Sequence, residues 1–156
     1  MKRRLAATVL CLLLCACATP PRERTEAVWS GRIGLQVQSD PPQSLQASFE
    51  LEGSPQAGLL TLFNPIGGIL ARLSWTPQQA MLERGTERWT QPTVEQLAEQ
   101  LVQTPFPVQA LFDWVEGRSV SHAGWQVDLS EHVQGRITAM RRLPAPAAEM
   151  RIVLDR

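Results

Sequence analysis

The segment from Trp29 to Gln38, WSGRIGLQVQ, constrains the fold more than any other: Ile33, Leu35 and Val37 alternate with Arg32, Gln36 and Gln38. Successive side chains of an extended chain point to opposite faces, so period two with one polar face describes a strand half-buried in an antiparallel sheet. SLQASFEL repeats the pattern, with Leu45, Ala47, Phe49 and Leu51 set against Gln46, Ser48 and Glu50. LLTLF, ILARLSW, QAMLER and TERWT extend the series to about six strands, and in ILARLSW the alternation puts Ile69, Ala71, Leu73 and Trp75 on one face. The connections SDPPQ and EGSPQAG have hairpin length and turn chemistry.

The period then changes. In TVEQLAEQLVQ, Val94, Leu97, Ala98, Leu101 and Val102 recur at helical spacing, and Thr93 with Gln96 forms a capping box. TPFPVQALFDWVEG predicts a second, short helix with Pro107 in its first turn, Val108, Leu111, Phe112 and Val115 on one stripe, and Gly117 as its stop. GWQVDL, GRITAMRRL and EMRIVLD return to strand patterning. Strands, two helices, then strands, with no βαβ unit, predict a mainly β chain: an antiparallel sheet carrying helices on one side. About nine strands must curl as they twist. The concave apolar face is then filled by side chains or by something else.

The N-terminus reads as an export signal. MKRR is basic, LAATVLCLLLCA is apolar but shorter than the roughly 20 residues of a membrane-spanning helix, and small residues follow. LCAC, Leu14 to Cys17, resembles a lipobox whose Cys17 becomes acylated, the alternative being an ordinary cleaved signal followed by a free thiol; Cys15 would have Leu14 at its −1 position and fails the lipobox test. The expected organisation is a lipoprotein signal peptide over 1–16, a lipidated N-terminus and tether over 17–28, and a folded domain over 29–156. Cys11 and Cys15 leave with the signal, which excludes a disulfide within the processed chain. Removing 16 of 156 residues leaves 140, with 12 basic side chains against 15 acidic and no lysine. That balance carries no basic patch for nucleic acid.

One turn poses a question that its residues alone leave open, since its apolar tip could fold back onto the sheet edge or the helices or stand out into solvent. FNPIGGIL places the β-branched Ile66 at its tip, where polar or permissive residues are usual. This turn, Asn64-Pro65-Ile66-Gly67, taken with Pro105, Pro107, Leu111, Trp114, Val115 and Gly117, resembles the LolB family of outer-membrane lipoproteins, and the resemblance covers most of the processed chain. It implies an incomplete, half-open antiparallel β-barrel under a helical lid, LolA/LolB-like, with a hydrophobic cavity for acyl chains. It implies an activity as well: taking lipoprotein cargo from a LolA-like periplasmic carrier and placing it in the outer membrane, with no cofactor. By position in the family, Ile66 is the apolar residue that protrudes toward outer-membrane lipid, while Asn64, Pro65, Gly67 and Gly68 make the tight turn possible. Candidate cavity residues from the sheet are Ile33, Leu35, Val37, Phe49, Leu51, Leu73 and Trp75. Leu97, Leu101, Leu111, Phe112 and Trp114 are those from the helices. Burying one isoleucine in lipid yields about 1.5–3 kcal/mol, enough to orient a docked protein but not to anchor it. The anchor would be Cys17, on the periplasmic face of the outer membrane, since Ala18 is not the aspartate that commonly retains lipoproteins in the inner membrane. A monomer is expected. The alternatives are a passive lipid-binding module or a structural subunit of an outer-membrane assembly, in which Ile66 would dock a partner.

Catalytic readings have little to stand on. GRSVSH lacks the second glycine of a nucleophile elbow, and a triad of Ser119 or Ser121 with His122 and Asp128 would need a geometry that the sequence does not specify. No H-x-x-x-H or C-x-x-C occurs, so no metal is expected. His122 and His132 read as residues of solvated loops, Glu83, Arg84, Glu87 and Arg88 as a charged hairpin face, and Arg141-Arg142 as solvated surface.

Overall fold

In a computed structural model, which describes residues 28–155, the alternation of the sequence becomes an alternation of burial. The predicted signal, Cys17 and the tether up to residue 27 lie outside the described residues. Strand β1 (Val28–Val37) buries Ile33, Leu35 and Val37 and exposes Arg32 and Gln36; β2 (Gln43–Gly53) buries Ala47, Phe49 and Leu51 and exposes Gln46, Ser48 and Glu50. Strands β3 (Gly58–Phe63), β4 (Ile69–Trp75), β5 (Ala80–Arg84) and β6 (Glu87–Gln91) follow as an antiparallel meander.

After the helices, β7 (Trp125–Asp128), β8 (Arg136–Arg141) and β9 (Ala148–Leu154) return to the other side of the sheet. There β9 pairs with β1 from Gly31 opposite Leu154 to Val37 opposite Ala148. The nine strands run β6-β5-β4-β3-β2-β1-β9-β8-β7, so β6 and β7 are edges and the barrel stays open. Both edges are blunted against further pairing, β6 by Glu87 and Arg88 and β7 by its length of four residues.

Helix α1 (Val94–Val102) starts where predicted, with the Thr93 hydroxyl accepting from the Gln96 amide at 3.4 Å. Helix α2 (Val108–Val115) begins one residue after Pro107, which sits at the cap rather than inside the first turn. Both cover the concave face of the sheet. Phe112 meets Trp75 edge to face at 6.1 Å, a favoured aromatic geometry. Trp75 fits because residue 58 is glycine: a Cβ there would lie 2.6 Å from the indole ring.

Three further details differ from the sequence reading. The β3–β4 register shifts at Leu62/Phe63, so Phe63 pairs with Ile69 while Leu62 pairs with Ala71. The bulge flips the start of β4, leaving Ile69 48 % exposed rather than on the inner face with Ala71, Leu73 and Trp75. Arg141 is not surface. It is 1 % exposed, and its Nη2 donates to the Thr104 hydroxyl at 2.7 Å and the Pro146 carbonyl at 2.9 Å, tying the α1–α2 connection to the β8–β9 connection. Burial pushes its guanidinium pKa below the usual arginine range. Nor are the histidines freely solvated. His132 opens a short 3-10 turn (His132–Gln134), and its Nε2 lies 3.0 Å from the Val115 carbonyl at the end of α2. His122 is half-buried and shares a backbone bridge with Trp125.

Candidate functional site

Antiparallel pairing brings the β1–β2, β3–β4, β5–β6 and β8–β9 connections to one end of the sheet, where α1 also terminates. An apolar pocket of about 190 Å³ opens there, lined by Leu35 and Val37 of β1, Leu45 of β2, Leu70 of β4, and Leu101 and Val102 of α1. Gln43, Ser44 and Arg84 give it a polar rim. The Gln43 side-chain amide donates to Gln103 Oε1 just beyond α1, bridging sheet and helix at the mouth.

The turn at Asn64–Gly68 stands beside this mouth, because Leu70, four residues after Ile66, is one of the pocket walls. Its stiffness comes from Asn64. The side-chain Oδ1 accepts from the amides of Ile66 at 3.0 Å and Gly68 at 2.9 Å, and the backbone closes with Gly67 N–H to Asn64 carbonyl at 2.9 Å. Asparagine favours such side-chain turns, and Gly67 takes the left-handed conformation at φ 86° that a branched residue would resist. At the tip of this hydrogen-bonded turn the Ile66 side chain is 92 % exposed.

The twelve candidate cavity residues divide between two places. Leu35, Val37 and Leu101 line the pocket, although Leu35 and Val37 also belong to the packed core. Ile33, Phe49, Leu51, Leu73, Trp75, Leu97, Leu111, Phe112 and Trp114 stand in the packed core, each 5 % exposed or less. Ligand pockets that enclose a small molecule usually measure about 300–1,000 Å³, so this open pocket of about 190 Å³ is smaller than one that encloses a ligand. Sequence reasoning passed over Leu45, Leu70 and Val102 as walls and Gln43, Ser44 and Arg84 as the rim. Leu45 and Val102 could have been found as the apolar-face positions nearest the ends of their elements. Leu70 could not, because only the bulge turns it inward.

The residues weighed for catalysis do not converge. Asp128 accepts from the Ser130 amide at 2.9 Å, which holds its carboxyl below the usual range, and no hydrogen bond joins it to Ser119, Ser121 or His122 among the described residues. Among the same residues, no three of His, Cys, Asp and Glu gather where a metal ion could bind. The expected charged hairpin holds one ion pair, Arg88 with Glu83.

A family model described as outer membrane lipoprotein LolB matches residues 27–144. The chain is 35 % identical over 151 residues to a Bordetella parapertussis protein named outer-membrane lipoprotein LolB, covering 90 % of this chain and 75 % of that one. Proteins of the same name from Cupriavidus metallidurans and Neisseria meningitidis are 31 % and 27 % identical. The first alignment covers 90 % of this chain and 74 % of the relative, the second 81 % and 69 %.

Proposed function

The chain belongs to the LolB family, and from that premise we propose that it is an outer-membrane lipoprotein that receives other lipoproteins and inserts them into the outer membrane. In this reading residues 1–16 direct export, Cys17 carries the lipid anchor, and 17–28 tether the folded body on the periplasmic side. Cargo arrives on a LolA-like carrier and leaves for the bilayer. No catalytic step is involved, because transfer runs downhill between apolar environments.

The observation that carries the reading is Ile66, 92 % exposed on a hydrogen-bonded turn beside an apolar pocket. A storage protein gains nothing from such a residue. A delivery protein does, since dipping Ile66 into lipid sets the pocket mouth against the membrane at a gain of about 1.5–3 kcal/mol. Keeping an acyl chain of about 16 carbons out of water is worth on the order of 12 kcal/mol. The pocket of about 190 Å³ would accept only the leading part of such a chain. The remainder requires α1 to lift, exposing Leu97, Leu101 and the core residues beneath as a lining already apolar.

The test is transfer in two stages. A carrier loaded with labelled lipoprotein is mixed with the protein, and liposomes are then added. Wild type accepts and delivers; Ile66→Glu accepts cargo but retains it. Failure of wild type to take cargo from the carrier would leave the passive lipid-binding module or the structural subunit.

A further inference from the structure

On the convex side of the same turn lies a second feature, a groove of about 440 Å³ that the delivery role does not use. Pro65, adjacent to Ile66, forms one wall; Arg32, Gln46, Ser48, Arg151 and Val153 supply side chains from the outer faces of β1, β2 and β9. The floor is open because residue 34 is glycine, and a Cβ built there would meet nothing within 4 Å. Arg32 pairs in register with Val153 and Gly34 with Arg151, so the two arginines are diagonal neighbours about 7–8 Å apart on one face. Arg151 uses its Nε on Glu149, while its two Nη groups have no hydrogen bond among the described residues. Arg32 forms no ion pair among them, although Glu50, opposite Ser30, is its diagonal neighbour on the adjoining strand and faces the same side.

We propose that this groove binds phosphate headgroups of the bilayer that Ile66 enters, with Arg32 and Arg151 as the cations and Gln46 and Ser48 as further donors. The assignment rests on the membrane-touching role of Ile66. It commits to a lipid surface because the groove is continuous with that turn through Pro65 and pairs cations with an apolar wall at Val153 and Pro65. Guanidinium groups suit phosphate oxygens through paired donors. The inserted isoleucine would then give depth, and the arginines would fix rotation about it.

Vesicle sedimentation of the processed chain from residue 17 onward, carrying Cys17→Ser in every arm so that neither the signal nor the anchor dominates, tests the proposal. The vesicles are phosphatidylcholine alone or with phosphatidylglycerol. Arg32→Gln is expected to weaken partition to the anionic vesicles about fivefold, and Arg32→Gln with Arg151→Gln about 30-fold, at low salt. The lysine pair retains most of the binding, and raised salt erases the difference. Both positions are exposed, so folding is not at issue. If Ile66→Glu loses binding to both lipids while the double glutamine variant sediments like its parent, the headgroup site is wrong and the membrane-touching turn stands. If Ile66→Glu also sediments like its parent, both fall. Release by free inorganic phosphate at constant ionic strength, or an arginine effect confined to uptake from the carrier, would equally overturn the lipid assignment.

Discussion

Helix α2 buries six of its eight residues and α1 four of its nine, although both cover the same concave sheet. The difference extends to polar ties. Around α2, the Trp114 indole donates to the Val120 carbonyl at 2.8 Å, His132 approaches the Val115 carbonyl, and the Trp125 indole donates to the Pro105 carbonyl at 2.9 Å. Helix α1 rests on β4, β5 and β6, burying Val94, Leu97 and Ala98; its far end is held by the exposed Gln43–Gln103 bond and, one residue on, by the buried Arg141–Thr104 bond. Gln103 ends it in the left-handed region at φ 53°, a conformation that costs a non-glycine residue about 1–2 kcal/mol. One helix is a plug and the other a cover. Local opening follows the weakest set of buried contacts, and by burial the weaker set is that of α1.

The largest expected effect lies on the plug. Trp114→Ala removes a fully buried indole and its hydrogen bond and should cost about 3–5 kcal/mol in urea denaturation. A loss no larger than an α1 substitution gives would end the distinction between the helices. Leu101→Ala, half-buried at the pocket, should cost about 1–2 kcal/mol, since less of it leaves water on folding, yet it should alter cargo uptake more than Trp114→Phe does. Thr93→Ala removes the α1 cap and should cost about 1 kcal/mol. Hydrogen exchange should then quicken across α1 while α2 is unchanged, and parallel quickening would show the two opening as a unit. Ile66→Glu should change stability by less than about 0.5 kcal/mol, because the side chain has no partner to lose. A larger shift in the melting curve would mean that the turn supports the fold.

Much of the fold was legible, for identifiable reasons. Ile33, Leu35 and Val37 announce their strand because one face is core and the other water, and Thr93 announces α1 because few residues can satisfy free helix amides. The bulge at Leu62/Phe63 was hidden: nothing in ILARLSW distinguishes an Ile69 that points inward from one turned out by an extra residue. Arg141 was hidden too, since a charged side chain reads as surface unless its partners, here Thr104 and Pro146, are known. For the site, the protrusion of Ile66 followed from the family resemblance, while the oddness of its setting alone left room for the side chain to fold back onto the sheet. The pocket could not, because Leu35 and Leu51 share one periodicity and differ only in which end of the strand is covered.

Strand β9 carries a consequence for how the molecule is made. It lies between β1 and β8, so the first and last strands are neighbours in the middle of the sheet. A chain emerging from its N-terminus must therefore keep one side of β1 bare until more than a hundred further residues have appeared, and until then the two halves of the sheet have no seam. Such distant pairing slows folding and leaves an adhesive edge open to strangers. Any escort this protein needs during its biogenesis would have most to guard along the outer rim of β1.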